Sequence, residues 1–137
     1  MSVFERSASG TVRSRLRAFI KTYSGEPPTP EEQQLRLELV QRARRELAAG
    51  HGDLLRLLAP AAAADALGDP ERIAAYADTF AIEATLAEAA GQTDRAAALR
   101  GSALAFAREA QRRARVPDDD VAALIASEGR LTPKRDD

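Results

Sequence analysis

The only imidazole in the chain is His51, set in a Gly-His-Gly turn with Asp53 two residues further on. A histidine beside a carboxylate can serve as a general base when the carboxylate orients the ring and a pocket brings substrate within hydrogen-bond reach. The glycines on either side supply no walls for such a pocket. His51 therefore reads as an exposed turn residue behind a helix end, where a cation is mildly favoured. A metal role needs more ligands than this. The chain has no cysteine, which removes thiolate ligands and thiol nucleophiles together. Di-metal helical bundles place a glutamate three residues before a histidine, and here Ala48 occupies that position. Glu46 and Glu83 are carboxylates that two helices could bring together, with pairing to arginine as their expected fate. Gly91-Gln92-Thr93-Asp94 is a turn between helices rather than a phosphate-cradling loop, and no nucleophile elbow is present. No catalytic, cofactor-binding or metal-ligating residue is expected, and the chain reads as non-enzymatic.

Two surfaces remain. Arg108, Arg112 and Arg115 share one face near the end of a long helical stretch, with Arg113 beside them. Such a face could hold nucleic-acid phosphates, as in a small regulatory nucleic-acid-binding protein. The same cations also suit the negative end of a helix, Glu109 can pair with Arg113 at i,i+4, and no aromatic side chain stands nearby to stack on a base. The second surface lies on a helix over residues 70–90. Ile73, Ala77, Phe80, Ala81, Ala84 and Ala87 make one broad apolar face, while Ile82 and Leu86 lie near the opposite side. A helix that is apolar on two sides lies between two neighbours, in its own chain or in a partner. Ile82 and Leu86 are thus the candidate partner face, and a homodimer through them is one arrangement this allows.

The elements that would position these groups follow from composition and punctuation. A length of 137 residues suits one domain with a real core. Charged residues make up 30 % with a net charge of −1, so no global field favours nucleic acid or a membrane surface. Aromatics are only 4 %, against roughly thirty alanines, the residue with the highest helix propensity and one small enough to let helices approach closely. The alanine and arginine excess is that of a GC-rich bacterial coding sequence. MSVFERSASG lacks the apolar core of a secretion signal, and no run approaches the ~20 apolar residues that span a bilayer. A cysteine-free chain of this kind is expected in the cytoplasm.

Residues 1–10 read as a flexible leader. Thr11 then caps a helix with the stripe Val12, Leu16, Phe19, Ile20 and Tyr23, opposite Arg13, Arg17 and Lys21, ending at Gly25. Docking onto the rest of the domain is its expected role, ahead of lying on an anionic membrane. Thr29-Pro30-Glu31-Glu32 joins a capping hydroxyl, a proline at the first helical position and a glutamate at the third. The stripe Leu35, Leu39, Val40, Ala43 and Leu47 follows, with Glu46 projecting into it, up to Gly50. Leucines 54, 55, 57 and 58 predict a short helix, interrupted by Pro60 and followed by another to Leu67. Asp69-Pro70-Glu71 repeats the start signal. Thr93 or Asp94 is expected to cap a helix reaching about Arg115, striped by Ala96, Leu99, Ala103, Phe106, Ala107 and Ala110. Asp118 to Asp120 open a last helix carrying Val121, Leu124 and Ile125, closed by Gly129, with 130–137 as a flexible tail. No strand-like alternation occurs. The expectation is a single all-α domain over 11–129, with about four longer helices and short segments packed as hairpins.

The stretch from Ala77 to Leu104 resembles a single tetratricopeptide-type repeat. Phe80 takes its large aromatic position, Ala84 the small residue where helices cross, Gly91 the turn glycine, and Ala96 and Ala103 the small positions of the second helix. Glu83 stands where that pattern has leucine and Ala87 where it has tyrosine, and no second copy recurs at the expected period. The overall order is also similar to a family of small, uncharacterised bacterial helical proteins, in which a helical pair precedes a GxD-Leu-Leu segment, here Gly50 to Leu55, and then such a hairpin. The resemblance implies hairpins in a right-handed, TPR-like arrangement. It implies no known activity, which leaves a protein-interaction or scaffold module with an unidentified protein partner as the expected function.

Overall fold

Thr29 opens the first helix of the computed structural model, which describes residues 29–48, 50–51 and 54–131. Its Oγ1 accepts the Glu32 N–H at 3.2 Å, while Pro30 occupies the first helical position, where its missing N–H is not needed. The resulting helix α1 spans Pro30–Leu47. Four residues, Leu54–Leu57, form α2, and Pro60–Leu67 form α3, which stops at Gly68 with φ of 80°. Asp69 caps α4, Pro70–Ala89, its carboxylate accepting the Glu71 N–H at 2.9 Å. Helix α5 spans Thr93–Arg113 and α6 spans Asp119–Leu131, the latter opened by Asp118 Oδ1, which accepts from the N–H groups of Asp120 and Val121. The expected leader, the helix over 11–25 and the tail from 132 lie outside the described residues. No strand occurs among the described residues, and the fold is all-α.

Helix α4 is the centre of the fold. It is buried almost all round, with Ile73, Ala74, Ala75, Tyr76, Ala77, Thr79, Ala81, Ile82, Glu83, Ala84 and Ala87 all withdrawn from solvent. On one side it pairs along its length with α5, antiparallel across the three residues Ala90, Gly91 and Gln92. Gly91 has φ of 79°, a backbone state that a side chain disfavours. The seam is lined by Ala77, Ala84, Ala87, Ala96, Ala103 and Ala107, whose methyl groups let the backbones come close. At the opposite side α1 sets Val40 and Ala43 against Ile82 and Leu86. One end of the pair is filled by Leu47, Leu55, Leu67, Phe106 and Val121, which gather α2, α3 and α6 around a shared core.

Several expectations change. In α1 the buried positions are Val40 and Leu47 with Ala43 partly covered, whereas Leu35 is 57 % and Leu39 38 % exposed, and Glu46 is exposed as well. The apolar stripe of α1 is wider than its contact, and the contact uses only one edge. The self-association face expected at Ile82 is covered within the chain by α1, so the neighbour on that side of α4 is intramolecular. Helix α5 begins at Thr93 with Gln92 as an unassisted cap residue, rather than being capped by Thr93 or Asp94. It ends at Arg113, where Ala114 already takes an extended backbone, three residues ahead of Pro117. Helix α6 continues through Gly129 to Leu131, since a helical glycine costs only about 1 kcal/mol relative to alanine.

The seam sets a volume limit. Ala103 is fully buried against α4, and Ala98 is exposed on the same helix. Ala103→Leu should lower unfolding free energy by about 1–3 kcal/mol through overpacking. Ala98→Leu should leave it unchanged within about 0.5 kcal/mol, both read by urea denaturation.

Candidate functional site

Arg44 projects from the last turn of α1 onto α4 and meets three residues that lie within about one turn of it, Thr79, Phe80 and Glu83. Its Nε donates to Thr79 Oγ1 at 3.0 Å and its Nη2 to the Thr79 carbonyl at 3.1 Å. Its Cζ lies 4.0 Å from the centroid of the Phe80 ring, and Nη1 is 2.8 Å from Glu83 Oε1. Thr79 is oriented for this by donating its hydroxyl to the Tyr76 carbonyl at 2.6 Å. Glu83 is buried and held from the other side by Arg95 of α5, Nη2 to Oε2 at 2.7 Å. Oε1 accepts no aligned hydrogen bond, so Arg44 holds that oxygen by charge. The carboxylate suggested by sequence as a partner for Glu46 is thus committed to two arginines, and Glu46 is exposed elsewhere on α1.

A second buried ionic knot joins α4, α5 and α6. Arg100 is buried on α5 and donates to Glu88 at the end of α4 and to the buried Glu128 of α6, the latter at 3.0 Å. Desolvation pulls the Arg100 guanidinium towards neutrality, yet the hydrogen bonds and charges of Glu88 and Glu128 outweigh it and leave its pKa above the ordinary value. A third set surrounds Glu109, buried on α5, which takes Arg112 at 2.7 Å and Arg113 at 3.4 Å. Arg113 reaches on to α3, pairing with Asp65 at 2.6 Å and donating to the Ala61 carbonyl.

Beside the Arg44 clamp, Tyr76, Phe80 and Phe106 form an aromatic cluster. Tyr76 meets both phenylalanines edge-on, at 5.2 and 4.9 Å between centroids, while Phe80 and Phe106 lie nearly parallel at 5.7 Å. Burial pushes the Tyr76 phenol above its usual value, opposed in part by the positive charges of Arg44 and Arg56.

The sequence-derived surfaces fare differently. Of the arginine face, Arg108, Arg112 and Arg115 are all exposed, and Arg112, although it pairs with Glu109, keeps 68 % of its side chain open to solvent. Arg115 borders an open hollow of about 390 Å³ between the end of α5 and the start of α6, together with Val116, Pro117 and Asp118. His51 sits half-buried in the turn after α1, its N–H donating to the Ala48 carbonyl, and its sequence neighbour Asp53 lies outside the described residues. Among the described residues no group of three or more His, Asp or Glu is placed to hold a metal ion. None of the described helices is long and apolar enough to cross a membrane. On α2, Leu55 turns into the core while Leu54 and Leu57 face outward, Leu57 with 82 % exposure.

Sequence reasoning missed Arg44, Tyr76, Thr79, Arg95, Arg100 and Glu128. A signal was present for Arg100: the spacing 96, 100, 103, 107 puts it inside the alanine stripe of α5, where only a carboxylate partner could satisfy it. Compared with family models, with curated proteins and with solved structures, the chain finds no match in any of the three.

The exposures of the two arginines holding Glu83 rank them. Arg44 is 16 % and Arg95 47 % exposed. Arg44→Ala should destabilise by about 3–5 kcal/mol, the cost of leaving a buried carboxylate without its partner. Arg95→Ala should cost about 1 kcal/mol or less, as surface pairs do. Chemical denaturation of both variants checks the order, which equal losses would contradict. A second expectation concerns alkali. The folded pKa of Tyr76 lies above its unfolded value near 10, so the associated stability is intact below that value and is lost as pH rises through the folded pKa. Thermal melts from neutral pH to pH 11 should show a steeper alkaline fall for wild type than for Tyr76→Phe.

Proposed function

We propose that this chain is a protein-interaction module, working by presenting apolar side chains on short helices packed around a rigid hairpin. The observation that carries this is the outward placement of Leu54 and Leu57 on α2, a four-residue helix that Leu55 anchors in the core. An exposed leucine alone is ordinary; two on one anchored turn, beside Arg56, make a small apolar knob with a cationic rim. The TPR-like arrangement is part of this proposal. It is supported by alanine at the crossing positions Ala84, Ala96 and Ala103, and by the positive-φ Gly91 between the helices. The buried carboxylates Glu83, Glu109 and Glu128 are each bound by arginine, which supports a structural rather than a chemical role for them. The setting assigned is the bacterial cytoplasm, on the cysteine-free, alanine- and arginine-rich composition. Nucleic-acid binding is the weaker reading, because Arg112 is shared with Glu109 and a net charge of −1 gives no general attraction for phosphates.

The test compares wild type with the Leu54→Glu, Leu57→Glu double variant as quantitative bait in the native cell. Both positions are exposed, so helicity and stability should change by less than about 0.5 kcal/mol. Recovery of specific partner proteins should drop at least about tenfold, as expected when an apolar anchor is lost. An identical set of partners for both baits, or none for wild type, would sink the proposal. Salt-sensitive RNA recovery lost in Arg108→Ala, Arg112→Ala, Arg115→Ala would favour the nucleic-acid alternative.

A further inference from the structure

We infer that the outer face of α1 pairs with the same face of a second copy of this chain, the two helices antiparallel about a two-fold axis between Leu35 and Leu39. This goes beyond the interaction reading, which rests on α2, and it places a self-contact on α1 rather than on Ile82 and Leu86.

The helix is 18 residues long, roughly 27 Å, and Leu35 and Leu39 expose their side chains one turn apart near its middle. Projected at helical spacing, Glu32, Leu35, Leu39, Arg42 and Glu46 fall on one stripe, turned away from the Val40 and Leu47 edge that meets the core. Glu31 and Glu32 flank the leucines on the N-terminal side, and Arg42 and Arg45 on the C-terminal side, all four exposed. None of these four side chains makes an ion pair among the described residues, whereas the buried Glu83, Glu109 and Glu128 all do.

An isologous contact must be complementary to itself. In the antiparallel register that sets Leu35 against Leu39 of the second copy, Glu32 comes level with the second copy's Arg42, and Glu31 lies between its Arg42 and Arg45. The two-fold axis repeats every pair. A parallel arrangement would set like charges against each other at both ends. Acids leading and arginines trailing also suit the helix dipole, which accounts for the order of charges but not for outward-facing leucines between them. A single helix pair falls at or below the small end of specific interfaces, about 1,200 Å² in total, so the dimer is weak and concentration-dependent.

Light scattering and sedimentation on the full chain, from micromolar to millimolar, test this. The mass of wild type should rise from one chain to two. Leu35→Glu with Leu39→Glu should keep it at one chain while helicity persists. E31R/E32R alone and R42E/R45E alone should each be monomeric, and an equimolar mixture of the two should recover the dimer mass. A wild type that stays monomeric throughout overturns the proposal. If L35E/L39E then also lowers the Tm by many degrees, residues 12–23 of the same chain occupy the face instead. A dimer that survives L35E/L39E but is lost in L54E/L57E overturns the α1 contact and leaves the broader interaction reading intact. Loss of the dimer in L35E/L39E, with cellular partners unaffected by L54E/L57E, does the reverse.

Discussion

The position of α1 depends on one guanidinium. Its apolar anchors are few, Val40 and Ala43 against Ile82 and Leu86 with Leu47 in the shared core, and such non-directional contacts leave the angle of an 18-residue helix loosely set. Arg44 supplies what is missing. It spans Thr79, Phe80 and Glu83, which lie on one side of α4 within a single turn, and each contact has a different directional demand. A planar fork of donors beside an aromatic face has few ways to satisfy all three, which fixes the helix as a lysine could not. The energetic return of burying Glu83 is small, because desolvating the carboxylate offsets most of the attraction. What the group contributes is geometry: Arg95 holds the same carboxylate from α5, so one buried charge references three helices to one another.

The arginine and glutamate pairs recur wherever the alanine seam would otherwise leave the helices free to slide. Methyl groups pack closely but uniformly, and a stripe of alanines offers several registers of similar energy. Arg100 removes that freedom at the other end of the hairpin by reaching both Glu88 and Glu128. Arg113 does so for α3 through Asp65. The aromatic cluster of Tyr76, Phe80 and Phe106 is the one place where the seam has large interlocking shapes, and it sits next to the Arg44 clamp. Charges used in this way are unavailable for ligands. Among the described residues, exposed Glu31, Glu32, Arg42 and Arg45 of α1, and Arg108 and Arg115 of the arginine face, take no part in these pairs.

How much of this could be read from the chain depended on the range of the interaction involved. Helix starts at Thr29 and Asp69 are local, written in a cap and a proline, and the structure places both where the residues indicate. The helical hairpin over 70–113 was equally plain, because its periodicity and its glycine lie within a few dozen residues. Helix α1 was less legible. Its five apolar positions cover more than one face, and the choice between the Leu35 edge and the Val40 edge is made by Ile82, far along the chain. Two apolar sides on α4 were visible, but the identity of the neighbour was not. Arg100 and Glu128 are not legible locally, because each is buried only by virtue of an opposite charge 28 residues away.

The turn at Ala90, Gly91 and Gln92 has a consequence in time. Because only three residues separate α4 from α5, their seam is made of contacts close in sequence, and closing so short a connection takes little chain entropy. Such a pair can zip together before anything else in the molecule, whereas Arg44 must find Glu83 across a long intervening stretch. Folding would then be hierarchical: the hairpin forms a template first, and α1 condenses upon it last. By the same ordering, α1 is the element that detaches most cheaply in the native state, and its amide hydrogens should exchange ahead of those in α4.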